Sequence, residues 1–146
     1  MLADLLKTLL ATNYAFVIKA QFFHWSVEGN DFYQLHKFFQ KIYEDAYSAV
    51  DTIAEEIRTL DEYAPGSFER FAELTRIQGQ TKVPRSRLMI EELLADSQIM
   101  IDLLNQVFAV ANEENKQDIA NFMAERLAAQ NKFAWQLRSF LKDARA

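Results

Sequence analysis

Phe32, Leu35, Phe39, Ile42, Ala46, Ala49, Val50, Ile53, Ile57 and Leu60 share one stripe of a helix, and no glycine or proline falls among them. Steps of three and four over that length fit a 3.6-residue turn, whereas a strand would alternate its faces every second residue. A chain built around such a segment must bury a long apolar face against other helices. Three more stretches repeat the pattern. The first carries Leu2, Leu5, Leu6, Leu9, Leu10, Phe16, Val17 and Ala20 and runs to about Val27. Gly29-Asn30 makes the turn that follows, and Asn30-Asp31 supplies an N-cap for the second helix. Residues 61–82 are polar and hold Pro65-Gly66 and Gly79. Within them Ser67 to Leu74 reads as a short helix with a capping serine, although Arg70 stands where a capping box would place a glutamate. A third long helix has Pro84 in its first turn and reaches about Ala111. The tight polar break Asn112-Glu113-Glu114-Asn115 leads to a fourth that ends near Lys142. The pattern predicts an all-α fold in one domain over residues 1–146. Its architecture is an up-down-down-up four-helix bundle, with a short extra helix in the crossover between helices 2 and 3.

Composition narrows the chemistry. With no cysteine, disulfides, thiol catalysis and thiolate metal sites are excluded. A net charge of −5 gives no general attraction to nucleic acid or anionic membranes. The opening Met1-Leu2-Ala3-Asp4-Leu5-Leu6 has no basic flank and no long apolar run, so it reads as the start of an amphipathic helix. A soluble, cytoplasmic protein with no membrane span is the expectation.

The chain has two histidines, His24 and His36, six residues either side of Asn30. In an antiparallel hairpin turning at Gly29-Asn30 they stand level. Asp51 and Glu55, four apart, share a face of the second helix, in a polar row with His36, Gln40, Glu44 and Ser48. Taken singly, each histidine reads as well as a packed helix-end residue, each acid as a surface acid, and the row as a solvated face. Together they form the imidazole and carboxylate set that suits an oxidisable divalent metal such as iron. Asp51, however, is fifteen positions beyond His36, which is ~22 Å along a helix at about 1.5 Å per residue. No single ion spans that within one chain. If all four are ligands, a second copy must contribute the carboxylates, across a two-fold axis near Tyr43 to Asp45, and the dimer carries two such sites. Within-chain diiron bundles instead use Glu-x-x-His pairs, and here Gln21 and Tyr33 occupy the corresponding places.

The run Phe23-His24-Trp25-Ser26-Val27-Glu28-Gly29, then Phe32, Leu35-His36 and Phe39, then Asp51-Thr52-Ile53-Ala54-Glu55-Glu56-Ile57-Arg58, strongly resembles the Dps miniferritins. The likeness extends through Pro65-Gly66-Ser67 to Lys132-Phe133-Ala134-Trp135-Gln136-Leu137-Arg138-Ser139-Phe140-Leu141. It implies a ferritin-like bundle assembled into a hollow dodecamer built from two-fold dimers. It also implies ferroxidase activity: Fe(II) is oxidised by hydrogen peroxide, with O2 as the other candidate oxidant, and the ferric mineral is stored inside. Two irons per intersubunit site follow from the resemblance. His24 and His36 of one subunit hold the first with Asp51 of its partner, and Glu55 reaches towards the second. Trp25 would take up a stray oxidising equivalent; its alternative is a core aromatic at a helix end.

Several positions depart from the family pattern. Ser26 replaces an asparagine, and Glu56 replaces an arginine, exchanging charge at an intersubunit ion pair. Lys37, Gln40 and Lys41 stand where many members carry acids for mineral nucleation, leaving Glu44 and Asp45 as substitutes and mineral growth expected to be weaker. There is no lysine-rich segment before the first helix, and after Phe140 the only cations are Lys142 and Arg145, with Asp143 between them. Direct DNA binding is therefore not expected. Glu113, Glu114 and Asp118 either line a pore that admits iron or stabilise a helix dipole. Two competing readings are a structural or DNA-compacting cage with vestigial iron chemistry, and an ordinary helical interaction module.

Overall fold

Gly29, at φ +113°, adopts the left-handed backbone that glycine tolerates best, and there the chain reverses from α1 (Leu2–Ser26) into α2 (Phe32–Ser48). The computed structural model describes residues 1–142. After α2 come α3 (Val50–Thr59), a short α4 (Phe68–Leu74), α5 (Ser86–Glu113) and α6 (Gln117–Phe140). Asn115, at φ +58°, makes the sharp turn between α5 and α6, a conformation asparagine accepts more readily than most residues. Ser67 caps α4, its hydroxyl accepting the Arg70 amide at 3.2 Å.

Phe16, Phe23, Phe39, Leu6, Leu9, Ile42, Leu103 and Val107 are completely buried in one apolar core shared by the long helices. Each such side chain contributes roughly 2 kcal/mol by leaving water. Polar ties fix the directions of the helices. Lys19 of α1 pairs with Asp96 of α5 at 2.8 Å, and Arg76 bridges Thr12, earlier in α1, to Gln106, later in α5. α1 and α5 are therefore antiparallel. Asp45 and Phe38 of α2 meet Arg126 and Phe133 of α6 in reversed order, so these two are antiparallel as well. The result is the expected up-down-down-up bundle. α4 lies on α1, with Tyr14 stacked on Phe71 at 5.3 Å between centroids. By length and composition α5 could cross a membrane, but its apolar residues from Met89 to Ala111 are spent on the bundle core.

The structure differs from the sequence reading in four respects. The second long helix is not continuous: it stops at Ser48 and resumes at Val50. Pro84 lies ahead of α5 rather than in its first turn, because Arg85 is extended (φ −69°, ψ 161°) and serves as the N-cap. Proline's fixed φ suits that extended approach equally well. Phe32, the first member of the apolar stripe, is exposed, since it sits beyond the end of the core and stacks on His36 instead. Asp31 holds the N-cap position of α2, yet its side chain makes no capping bond. Lys142 is exposed; Asp143 and Arg145 lie outside the described residues.

Candidate metal centre

His24 lies in the last turn of α1 and His36 near the start of α2, and the turn between them brings the two imidazoles face to face. Their centroids are 3.9 Å apart and their planes 14° from parallel. Each ring is also bonded to the other residue's backbone. His24 Nδ1 donates to the His36 carbonyl at 2.6 Å, and His36 Nδ1 donates to the His24 carbonyl at 2.7 Å. A carbonyl can only accept, so both Nδ1 atoms must carry hydrogen. In the neutral rings each Nε2 is left with a free lone pair. Metal-binding histidines commonly have this arrangement, one nitrogen anchored to a carbonyl and the other free to ligate. The clasp also satisfies the His24 carbonyl, one of the last four of α1, which has no partner within its own helix. His24 is buried and His36 half-buried; Phe32 stacks on the outer face of His36, and the Tyr43 ring lies 5.3 Å from that of His24. The sequence reading placed Phe32 in the apolar stripe and Tyr43 near a two-fold axis but neither beside the histidines, although both fall one helical turn or two from His36.

Asp51 and Glu55 lie elsewhere. Both are exposed on α3, and Asp51 lines a groove of about 510 Å³ with Leu10, Tyr14, Tyr47, Ala54 and Phe68. Among the described residues no three histidine or acid side chains of one chain come together as a metal-binding group, and neither carboxylate has a hydrogen-bond or ion-pair partner. Tyr47 and Phe68, 57 % and 78 % exposed, leave the groove with more bare aromatic surface than a solvated face usually shows.

The remaining acids divide by environment. Glu44 accepts the Gln40 amide at 2.6 Å, and Asp45 is held by Arg126 at 2.6 Å. Glu113, Glu114 and Asp118 are exposed where α5 gives way to α6. Glu56 faces this end of α6 from within the same chain. Burial, and then the Asp118 carboxylate, pushes its carboxyl up to about 7, and its Oε2 is enclosed without a hydrogen-bond partner. Lys37 sits over the Tyr33 ring at 4.6 Å. Trp25 is not a core aromatic: it is 66 % exposed, because its neighbour His24 takes the inward-facing position at the end of α1.

Residues 3–146 match the family described as Ferritin-like domain. A low temperature-induced protein of Nostoc sp. is 33% identical over 141 residues, covering 95% of this chain and 79% of that protein. A DNA protection during starvation protein of Helicobacter pylori is 28% identical over 139 residues, 94% of this chain and 96% of that one. Among solved structures, a Dps protein from Vibrio cholerae, described as a member of a broad superfamily of ferritin-like diiron-carboxylate proteins, superposes with a TM-score of 0.93. It is 28% identical, with 97% of this chain and 89% of that chain covered.

Proposed function

The chain belongs to the Dps family of ferritin-like proteins, and on that footing we propose that it oxidises Fe(II) at sites shared between two copies and stores the ferric product. One observation carries the reading: the two Nε2 lone pairs are prepared for a metal on one part of the surface, while the carboxylates that would complete the set stand unpaired on another. A second copy related by a two-fold axis supplies each half with what it lacks, and the aromatic groove beside Asp51 is the apolar surface such a contact would cover.

In this scheme Fe(II) is the substrate. His24 and His36 of one copy present neutral nitrogen donors, and Asp51 of the other adds a hard anionic oxygen; Glu55 lies one turn further on, where a second Fe(II) would bind. Two carboxylates beside two neutral imidazoles favour the ferric over the ferrous ion, because hard oxygen anions stabilise the higher charge. With hydrogen peroxide as oxidant, two Fe(II) each give one electron, the O–O bond breaks, and two protons complete two waters. Paired electrons leave no hydroxyl radical. The clasp holds both rings in place throughout, since neither Nδ1 is needed for ligation. The further parts of the proposal are a dodecameric shell, a cytoplasmic location, iron admitted past Glu113, Glu114 and Asp118, and mineral growth beginning at Glu44. Asp45 is less free for that task while Arg126 neutralises it.

The test is complementation. His36→Ala and Asp51→Asn should each abolish peroxide-dependent Fe(II) oxidation when assembled alone. Mixed at equal amounts, unfolded and reassembled together, they should regain about a quarter of wild-type sites, because half the dimers are mixed and each of those has one intact site of two. Mixed shells as inactive as either parent would place the ligands within a single chain and sink the shared-site reading.

A further inference from the structure

The carbonyl of Ala46 faces the bundle core, and two donors converge on it: Asn13 Nδ2 of α1 at 2.8 Å and the Ala49 amide at 3.2 Å. In a continuous helix that carbonyl belongs to the amide four residues on, which is Val50. Here α2 stops at Ser48 and α3 starts at Val50. Nothing in Tyr47-Ser48-Ala49-Val50 is a helix breaker by type, with neither glycine nor proline present. The Ser48 hydroxyl, bonded back to the Asp45 carbonyl at 2.6 Å, is a second side chain that engages the backbone at this interruption. The Ala46 carbonyl itself is reached by a side chain from another helix.

Asn13 is an unlikely residue for packing alone. It is completely buried, and its Oδ1 has no hydrogen-bond partner. An enclosed amide oxygen left unpaired destabilises a fold, and an apolar side chain of similar volume would avoid that loss. What the amide achieves is the bond to Ala46, at the point where α2 yields to α3. Asp51 and Glu55 follow directly.

We infer that Asn13 is a positioning residue for the metal centre: by capturing the Ala46 carbonyl it bends the helix and thereby aims Asp51 and Glu55 at the histidine pair of a second copy. This rests on the shared site proposed above. Glu55 is six residues beyond Ala49, ~9 Å along α3 at about 1.5 Å per residue. A bend of about 20° therefore displaces its backbone by ~3 Å. Ligand distances tolerate only about 0.2 Å. A bend of that size would be large enough to decide whether both carboxylates reach a metal held by the histidines.

Co(II), which reports its ligands through its visible spectrum and is not turned over, is the probe, titrated into the assembled protein. Asn13→Leu removes the amide; its Co(II) affinity should fall tenfold or more, as when a residue supporting a ligand is lost. Val50→Pro alone should bind Co(II) like wild type, because a proline there clashes with the Ala46 carbonyl and imposes a bend of its own. The double variant Asn13→Leu/Val50→Pro should recover affinity to within a few-fold of wild type. A role for Asn13 in packing alone would not be rescued by a proline on another helix. The inference is overturned if Asn13→Leu binds as wild type does, or if the double variant binds as weakly as Asn13→Leu. If Asn13→Leu does not fold, a double variant that folds and binds supports the inference, and one that also fails to fold assigns Asn13 to packing and overturns it. A wild type without any Co(II) spectrum dependent on His36 would mark a different failure, that of the shared site itself, and would remove this inference with it.

Discussion

Glu56 places a partly buried carboxylate between α3 and the first turn of α6, one oxygen of it enclosed, and its proton is held up to about pH 7 rather than the ordinary 4.5. Between those two values the folded protein binds a proton that the unfolded chain has released. Stability from this source is therefore unaffected below about pH 4.5, declines as pH rises towards 7, and stays reduced above that. Glu56→Gln removes the penalty. With a discount for partial exposure, it should stabilise the protein by about 1 kcal/mol at pH 8 and leave it nearly unchanged at pH 4.5. Thermal melts at the two pH values measure this; an equal gain at both would trace the effect to packing rather than charge. The sequence identified Glu56 only as an acid in an unusual place. Part of its raised proton affinity comes from the charge of Asp118, more than sixty residues away, and no local pattern announces such a meeting. The histidines were easier: equal spacing about a glycine turn is a purely local quantity, and it set the two rings level as the structure has them.

Among the elements, what could be read in the sequence follows the same rule. The helices, the capped α4 and the two tight turns come from apolar spacing, one serine, and residues that tolerate positive φ. The break at Ala49 does not, and the amide that meets the Ala46 carbonyl there belongs to Asn13, more than thirty residues earlier in α1. Nor does the tie between α1 and α5, where Lys19 and Asp96, each 6 % exposed, pair at 2.8 Å with Glu92 a further 3.7 Å from the same ammonium. Burial raises the Asp96 carboxyl while Lys19 draws it back down. Lys19→Met would leave Asp96 enclosed without its cation and should cost about 3–5 kcal/mol. Replacing both, as Lys19→Met/Asp96→Leu, should restore most of that loss, and urea melts of the three proteins decide the point. A double variant as unstable as the single would show that the helices need the ion pair and not merely its removal as a unit. At the junction of α5 and α6, Glu114→Gln with Asp118→Asn should slow iron loading several-fold, without altering oxidation at two Fe(II) per site, if these acids line the path inward. Loading at the wild-type rate would leave them as helix-terminal charges only.

For the whole molecule, assembly separates the readings most cheaply. A 17.0 kDa chain that works as an isolated bundle should elute as a monomer or dimer; the proposed shell of twelve should scatter as a particle of about 200 kDa. At −5 per chain such a shell carries a formal charge of about −60, so its exterior should repel phosphate except at a local basic patch. No mobility shift of duplex DNA is predicted at physiological salt, and a retarded band that persists there would overturn that prediction.

The reciprocal clasp of His24 and His36 has an evolutionary consequence. Each ring closes the α1–α2 hairpin by taking up a backbone carbonyl, so selection for folding alone would preserve both histidines in a descendant that had abandoned iron. Asp51 and Glu55 have no such second employment: exposed and without partners among the described residues, they can drift once the chemistry no longer needs them. In any lineage of this fold, therefore, the carboxylates on α3 are the sensitive witnesses of activity, and the more conspicuous histidines the poor ones.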